Sequence, residues 1–259
     1  LSNEAATDAT AAPGPRPGFA RAALYVFLIC LYTLVFGIPC FLLALLNPRG
    51  GASYNLSLVW ARLILRTCGV RVASSGIENL PVSGPFIIMS THNSHFDIPV
   101  LMQEIPQQLR IVGKKSLFKI PVFGWYLSAA GYVCVDRDSR TQAFDSLNRA
   151  ADMVGAGMPL LIFPEGTRSP GGGLGPFKKG GFVVALKAQV PIIPVVIAGT
   201  YHVLPKTTWR ISPGAVRVVF GKPIATTEFT YETREKLMEE VRRAMKEIKE
   251  AKIDLGAPQ

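Results

Sequence analysis

From Arg71 onward, short apolar runs alternate with segments of helical periodicity. The runs 71–76, Pro85–Ser90, Leu109–Gly113, Tyr132–Val135, Pro159–Phe163, Pro191–Ile197 and Val216–Phe220 are nearly continuous in apolar residues, which predicts strands buried on both faces. Between them the spacing predicts helices over 96–104, 121–129, 139–156 and 177–188. A last helix from about Tyr231 to Ala251 aligns Leu237, Val241, Ala244, Met245 and Ile248, with Glu232/Lys236 and Glu239/Arg243 as favourable i,i+4 pairs. The expected fold class is α/β. It has a mostly parallel sheet covered by helices on both faces and an N-terminal two-helix membrane anchor.

The pattern differs before residue 71. Ala22 to Leu46 carries no charge. That stretch exceeds both the ~20 residues that span a bilayer and the ~7–15 of a signal-peptide core. Gly37 and Pro39 interrupt it, and Pro39 is expected to kink or break the helix near Ile38. Tyr54 to Cys68 places Arg62 and Arg66 on one face and Leu56, Val59, Leu63 and Ile64 over the other. This suits a helix lying in the interface with its arginines at the headgroups; a core-packed helix is the alternative. Asn47-Pro48-Arg49-Gly50-Gly51 is the turn between the two. Arg16 and Arg21 precede the apolar segment and Arg49 follows it, so the positive-inside rule sets no orientation. The break and the amphipathic second helix favour a hairpin dipping into one leaflet. Residues 1–20, rich in Ala, Pro, Gly and Thr, read as a disordered tail. The domain reading is a 1–20 tail, a 21–70 anchor and a 71–259 α/β domain.

A net charge of +10 fits an anionic surface, either nucleic acid or membrane. With 49% apolar residues, no zinc-finger spacing and no RNP-type aromatic motif, the membrane is favoured over nucleic acid. Cys30, Cys40, Cys68 and Cys134 lie in apolar surroundings without a CxxC pair and read as buried free thiols.

The chemistry gathers at three strand ends, where ligands bind in open α/β sheets. Thr91-His92-Asn93-Ser94-His95-Phe96-Asp97 supplies imidazoles and a carboxylate, the pairing that draws a proton from an alcohol. Spacing does not choose between His92 and His95, and Asp97 also fits a helix cap. Gly131-Tyr132-Val133-Cys134-Val135-Asp136-Arg137 and Phe163-Pro164-Glu165-Gly166-Thr167-Arg168-Ser169 supply arginines whose fork suits phosphate. Glycines at 171–173 permit close approach of backbone to an anion, though the stretch also reads as a plain turn. Asp136-Arg137 equally reads as a structural ion pair, and Lys114-Lys115 as solvated charge. A base beside an anion cradle indicates an enzyme acting on a phosphorylated alcohol.

Taken together, the stretches resemble the glycerolipid acyltransferase family, specifically its bacterial 1-acyl-glycerol-3-phosphate acyltransferases, over roughly residues 55–225. His92 and Asp97 match the family's His-x4-Asp motif, which settles His92 over His95. Gly131 to Arg137 is similar to its second block, Glu165-Gly166-Thr167-Arg168-Ser169 matches the third, and Val190 to Val195 is similar to the fourth. Lys114, upstream of Ile120-Pro121-Val122-Phe123-Gly124, matches a lysine near the phosphate. Thr91, Cys134 and Val135 depart from commoner residues without removing a catalytic group. The resemblance implies acyl transfer from acyl-CoA or acyl-carrier protein to the sn-2 hydroxyl of lysophosphatidate, at the cytoplasmic face of the inner membrane. His92 would be the base and Asp97 its orienting partner. Lys114, Arg137 and Arg168 would hold the phosphate, while Glu165, Gly166 and Thr167 organise the loop. No metal or cofactor is expected beyond the thioester co-substrate, and membrane lipids are the expected partners. An apolar groove lined from Phe118 to Leu127 is expected for the acyl chain. Another lysolipid acceptor, such as lyso-ornithine lipid, and a non-catalytic lipid-binding protein are the competing readings.

Overall fold

All seven apolar runs become strands of one sheet in the computed structural model, which describes residues 17–136, 140–169 and 173–251. They are β1 (Val70–Ser75), β2 (Ile87–Ser90), β3 (Arg110–Lys114), β4 (Val133–Val135), β5 (Leu160–Ile162), β6 (Ile192–Ala198) and β7 (Gly214–Phe220). Their order is β1-β7-β6-β2-β5-β3-β4, and every neighbouring pair is parallel except β6 with β7. The helices are α1 (Phe19–Leu46), α2 (Gly51–Thr67), α3 (Asp97–Glu104), α4 (Lys115–Phe118), α5 (Phe123–Ala129), α6 (Arg140–Gly155), α7 (Lys179–Ala188), α8 (Thr200–Val203) and α9 (Arg234–Glu250). The single-turn α4 and α8 have no sequence signal, because a four-residue helix shows no periodicity.

Successive strand residues go to opposite faces, so each strand feeds two cores. Ile88, Leu161, Ile193 and Val195 pack with α2, α3 and α5. Ile87, Met89, Leu160, Ile162 and Ile192 pack with α6, α7 and α9. Two apolar layers explain why the runs lack polar alternation.

The expected break near Ile38 does not occur: α1 continues through Pro39 to Leu46, a length of about 42 Å. Packing outweighs the hydrogen bond that proline removes. Cys40 and Ala44 are buried just beyond it, and a Cβ at Gly37 would come within 2.6 Å of Val122 Cγ1, a closeness only glycine permits. The chain reverses at Asn47–Gly50, within the turn expected between the two helices. Among the described residues only α1 is long and apolar enough to cross a membrane, with a mean hydropathy of 2.5. It begins at Phe19, inside the stretch read as tail; residues 1–16 lie outside the described residues. α2 is amphipathic and half embedded. Ile64, Leu65 and Cys68 join the core, Tyr54 and Ala61 pack with Met102 of α3, and Arg62 and Arg66 are exposed. The four cysteines are unpaired; Cys40 and Cys68 are buried, whereas Cys134 is half-buried and Cys30 is exposed on α1, both contrary to the buried reading. The Cys30 position falls on the outer side of a helix that is apolar all round, so apolar neighbours in sequence did not mean burial.

Arg110 fastens the hairpin to the sheet. It is 1% exposed and donates to the carbonyls of Ala130 at 2.7 Å and Pro48 at 3.0 Å, with its guanidinium 5.3 Å from the Tyr132 ring centroid. Arg110→Ala strips donors from buried carbonyls and leaves a cavity. It is expected to cost roughly 2–4 kcal/mol, read as a lowered Tm in detergent.

Candidate active site

Strands β2, β5, β3 and β4 are parallel, so the residues that follow them meet at one edge of the sheet. After β2 the chain stays pinned to β6: the Thr91 amide donates to Val195 O at 3.1 Å, and the Thr91 hydroxyl accepts from the Ile197 amide at 2.9 Å. Asn93 Nδ2 then donates to Ile197 O at 3.2 Å, and Ser94 Oγ to Leu204 O at 2.9 Å.

Asp97 opens α3 and is completely buried. Its Oδ2 accepts the amides of Asn93 (2.7 Å) and Ser94 (2.9 Å) and lies 2.8 Å from His92 Nδ1. A carboxylate offers only acceptors, so Nδ1 carries the hydrogen and Nε2 holds the free lone pair. The His92 ring is stacked on Phe163, with centroids 4.0 Å apart and planes 20° apart. The imidazole is therefore held on one edge and one face, and with 16% of its side chain exposed it keeps access to a substrate. Among the described residues only His92 of the two neighbouring histidines bonds to Asp97; His95 is exposed. Desolvation of its ring, and then the nearby Arg168 guanidinium, hold the His95 imidazole below its ordinary value. Arg168 precedes Ser169, whose amide donates to His92 O at 2.8 Å, so its loop adjoins the His92–Asp97 turn.

The loop after β5 is bound to the same turn. Glu165 is 3% exposed; Oε1 accepts the His92 amide at 3.3 Å, while Oε2 accepts the Gly175 amide at 2.8 Å and the Ser169 hydroxyl. The Ser169 amide returns a bond to His92 O at 2.8 Å. Gly166 adopts φ 72°, a left-handed conformation that glycine takes without steric cost, and closes a turn onto Phe163 O at 3.0 Å. Thr167 and the half-buried Arg168 are carried between these fixed points.

His92, Asp97, Glu165, Gly166, Thr167 and Arg168 thus form one cluster. Lys114 ends β3, the strand next to β5, and is exposed on the same edge. Lys115 pairs with Asp136 at 2.7 Å. Arg137, Gly171 and Gly172 lie outside the described residues. An apolar cavity runs beside the cluster, between the α1–α2 hairpin and α3–α5. Its wall includes Ile98, the residue after Asp97, and Gly113, the residue before Lys114, with Phe118, Phe123, Tyr126 and Leu127. Phe163 as a ring support went unnoticed in the sequence, because any strand-end aromatic there reads as core. Lys206, whose Nζ lies 3.4 Å from Thr167 Oγ1, falls outside every motif and only the fold brings it near.

The acyltransferase family model matches residues 71–198. A chloroplast 1-acyl-sn-glycerol-3-phosphate acyltransferase of Brassica napus is 43% identical over 152 residues, which is 58% of this chain and 44% of that one. The corresponding chloroplast protein of Arabidopsis thaliana is 36% identical over 202 residues, 76% of this chain and 55% of its own. This chain therefore spans about half the length of these two plant relatives. A 1-acyl-sn-glycerol-3-phosphate acyltransferase of Pseudomonas aeruginosa is 31% identical over 207 residues, covering 78% of this chain and 79% of that protein. The crystal structure of the 1-acyl-sn-glycerophosphate acyltransferase PlsC from Thermotoga maritima aligns with a TM-score of 0.73 at 28% identity, over 89% of this chain and 95% of that one. With the His-x4-Asp turn, the Glu-Gly-Thr-Arg loop and the sheet that joins them, the chain belongs to the glycerolipid acyltransferase family.

Proposed function

We propose that this protein transfers a fatty acyl group from a thioester, acyl-CoA or acyl-carrier protein, to the sn-2 hydroxyl of 1-acyl-glycerol-3-phosphate, giving phosphatidate. The observation that carries the reading is the Asp97-oriented His92, whose Nε2 is free beside the Arg168 loop. Nε2 takes the hydroxyl proton as the oxygen attacks the thioester carbonyl, and the buried carboxylate stabilises the imidazolium that forms. The tetrahedral intermediate collapses, the thiolate leaves, and the proton is returned to it. Arg168, with Lys114 and Arg137, holds the phosphate so that the hydroxyl meets His92. Glu165 has both oxygens occupied by donors, so its role is to shape the loop. The apolar cavity between the hairpin and α5 takes an acyl chain. The test is mass spectrometry of products formed from a panel of lysolipids with both donors. Phosphatidate formed fastest from lysophosphatidate supports the reading; faster acylation of another lysolipid, or no thioester consumption, overturns it.

Arg168→Ala is expected to raise the acceptor KM about tenfold or more, with a smaller fall in kcat and little change in donor KM. A change confined to the donor would place Arg168 at the other substrate.

α1 suits membrane association, and we infer that the hairpin enters one leaflet from the cytoplasmic side without crossing. Leu24, Phe27, Leu31, Leu34, Ile38, Leu42 and Leu45 form an exposed stripe along the whole helix. Ala22, Tyr25, Cys40 and Ala44 on the other side are buried, and Phe19 meets Trp209 edge-on at 5.4 Å. A helix held to its domain from end to end exposes one face to lipid, each large side chain there contributing about 1.5–3 kcal/mol when removed from water. Single cysteines in residues 1–20 of a cysteine-free variant should resist an impermeant maleimide in intact cells. Labelling from outside would establish a crossing.

A further inference from the structure

The segment after α8 is unassigned by any motif, yet it is tied to the catalytic turn and to the membrane helix. Ser94 Oγ donates to Leu204 O at 2.9 Å, three residues before Asp97 in sequence and two before Lys206 on the other strand of the tie. Lys206 Nζ then reaches Thr167 Oγ1 at 3.4 Å, on the loop that carries Arg168. Three residues later Trp209 stands edge-on to Phe19, where α1 begins. A lysine beside a hydroxyl gains little from that bond alone. Among the described residues no carboxylate lies within 4 Å of its amine, and the nearest acid of the loop, Glu165, is turned inward onto Ser169 and Gly175. Lys206 is thereby fastened to the residue next to Arg168, and among the described residues neither cation has a carboxylate within 4 Å, so an anion bound at this loop can be shared by both.

We propose that Lys206 is a further acceptor-binding residue, a cation added to Arg168, Lys114 and Arg137 that grips the phosphate from the Thr167 side of the loop and selects a phosphate monoester over a phosphodiester. The proposal rests on the acyl transfer proposed above. A monoester carries about −1.5 to −2 charges at neutral pH and keeps three terminal oxygens, enough for an arginine fork and an ammonium together. A diester carries one charge and two such oxygens. Removal of one cation from the group therefore weakens the monoester more. The position of the loop also fits a lipid acceptor, because the tryptophan at α1 lies within four residues of the lysine.

Lys206 is exposed, so its replacement leaves the fold intact, checked by an unchanged Tm. With the full-length enzyme in mixed micelles, Lys206→Met should raise the lysophosphatidate KM on the order of tenfold, leave the donor KM within twofold, and be largely rescued by Lys206→Arg. Lysophosphatidylglycerol, as substrate or competitive inhibitor, should lose at most about threefold, so monoester selectivity falls. An unchanged acceptor KM, an equal loss for both lipids, or a loss on the donor side overturns the role of Lys206. If wild-type enzyme fails to acylate lysophosphatidate, the proposed function itself falls, and the two failures are distinguished by that control.

Discussion

His92→Ala is expected to lower kcat by about 10²–10⁴-fold, the usual contribution of a positioned general base, while Tm and membrane binding stay unchanged. The side chain keeps an open edge to solvent and bonds only to Asp97 and the Phe163 ring, so little folding energy depends on it. His95→Ala, at an exposed position without the carboxylate, should retain most activity. Thioester consumption measured with saturating acceptor separates the two variants. Reversed phenotypes would assign the base to His95.

Asp97→Ala should lose both activity and stability, which sets it apart from the histidine variant. One oxygen serves two backbone amides and the imidazole inside a site closed to water, so alanine leaves buried donors without a partner. Roughly 2–4 kcal/mol should be lost. For a domain of this size that is a Tm lower by about 5–15 °C. Activity should fall at least as far as in His92→Ala, because the turn carrying His92 loosens as well. Asp97→Asn separates the contributions. Its amide oxygen can take the three donors, so much of the stability returns, but the charge opposite the imidazolium is gone and kcat stays low. A fully active Asp97→Asn enzyme would show that the carboxylate only caps α3.

The strands and the larger helices were readable in the sequence because their signals are local. Buried parallel strands need unbroken apolar runs, and α9 needs Leu237, Val241 and Met245 on one stripe. Where the reading failed, a distant contact outweighed a local preference. Pro39 signals a break, but α1 is held straight on by burial of Cys40 and Ala44 and by Gly37 against Val122, 85 residues away in sequence.

The residues of the site follow the same division. Their identities lie in three short motifs, because proton transfer and phosphate binding each demand particular functional groups. The sequence by itself therefore determined the fold class, the family and the chemical inventory: an imidazole, a carboxylate and an arginine-bearing loop. Tertiary structure decided that Phe163 supports the His92 ring, that Glu165 binds the His92 backbone, and that Lys206 stands beside Thr167. These are contacts between segments up to 73 residues apart, made by the parallel pairing of β2 with β5 and the return through β6. Hydrogen bonds and stacking act over a few ångströms, whereas motif spacing records distance along the chain, and only the folded sheet converts one into the other.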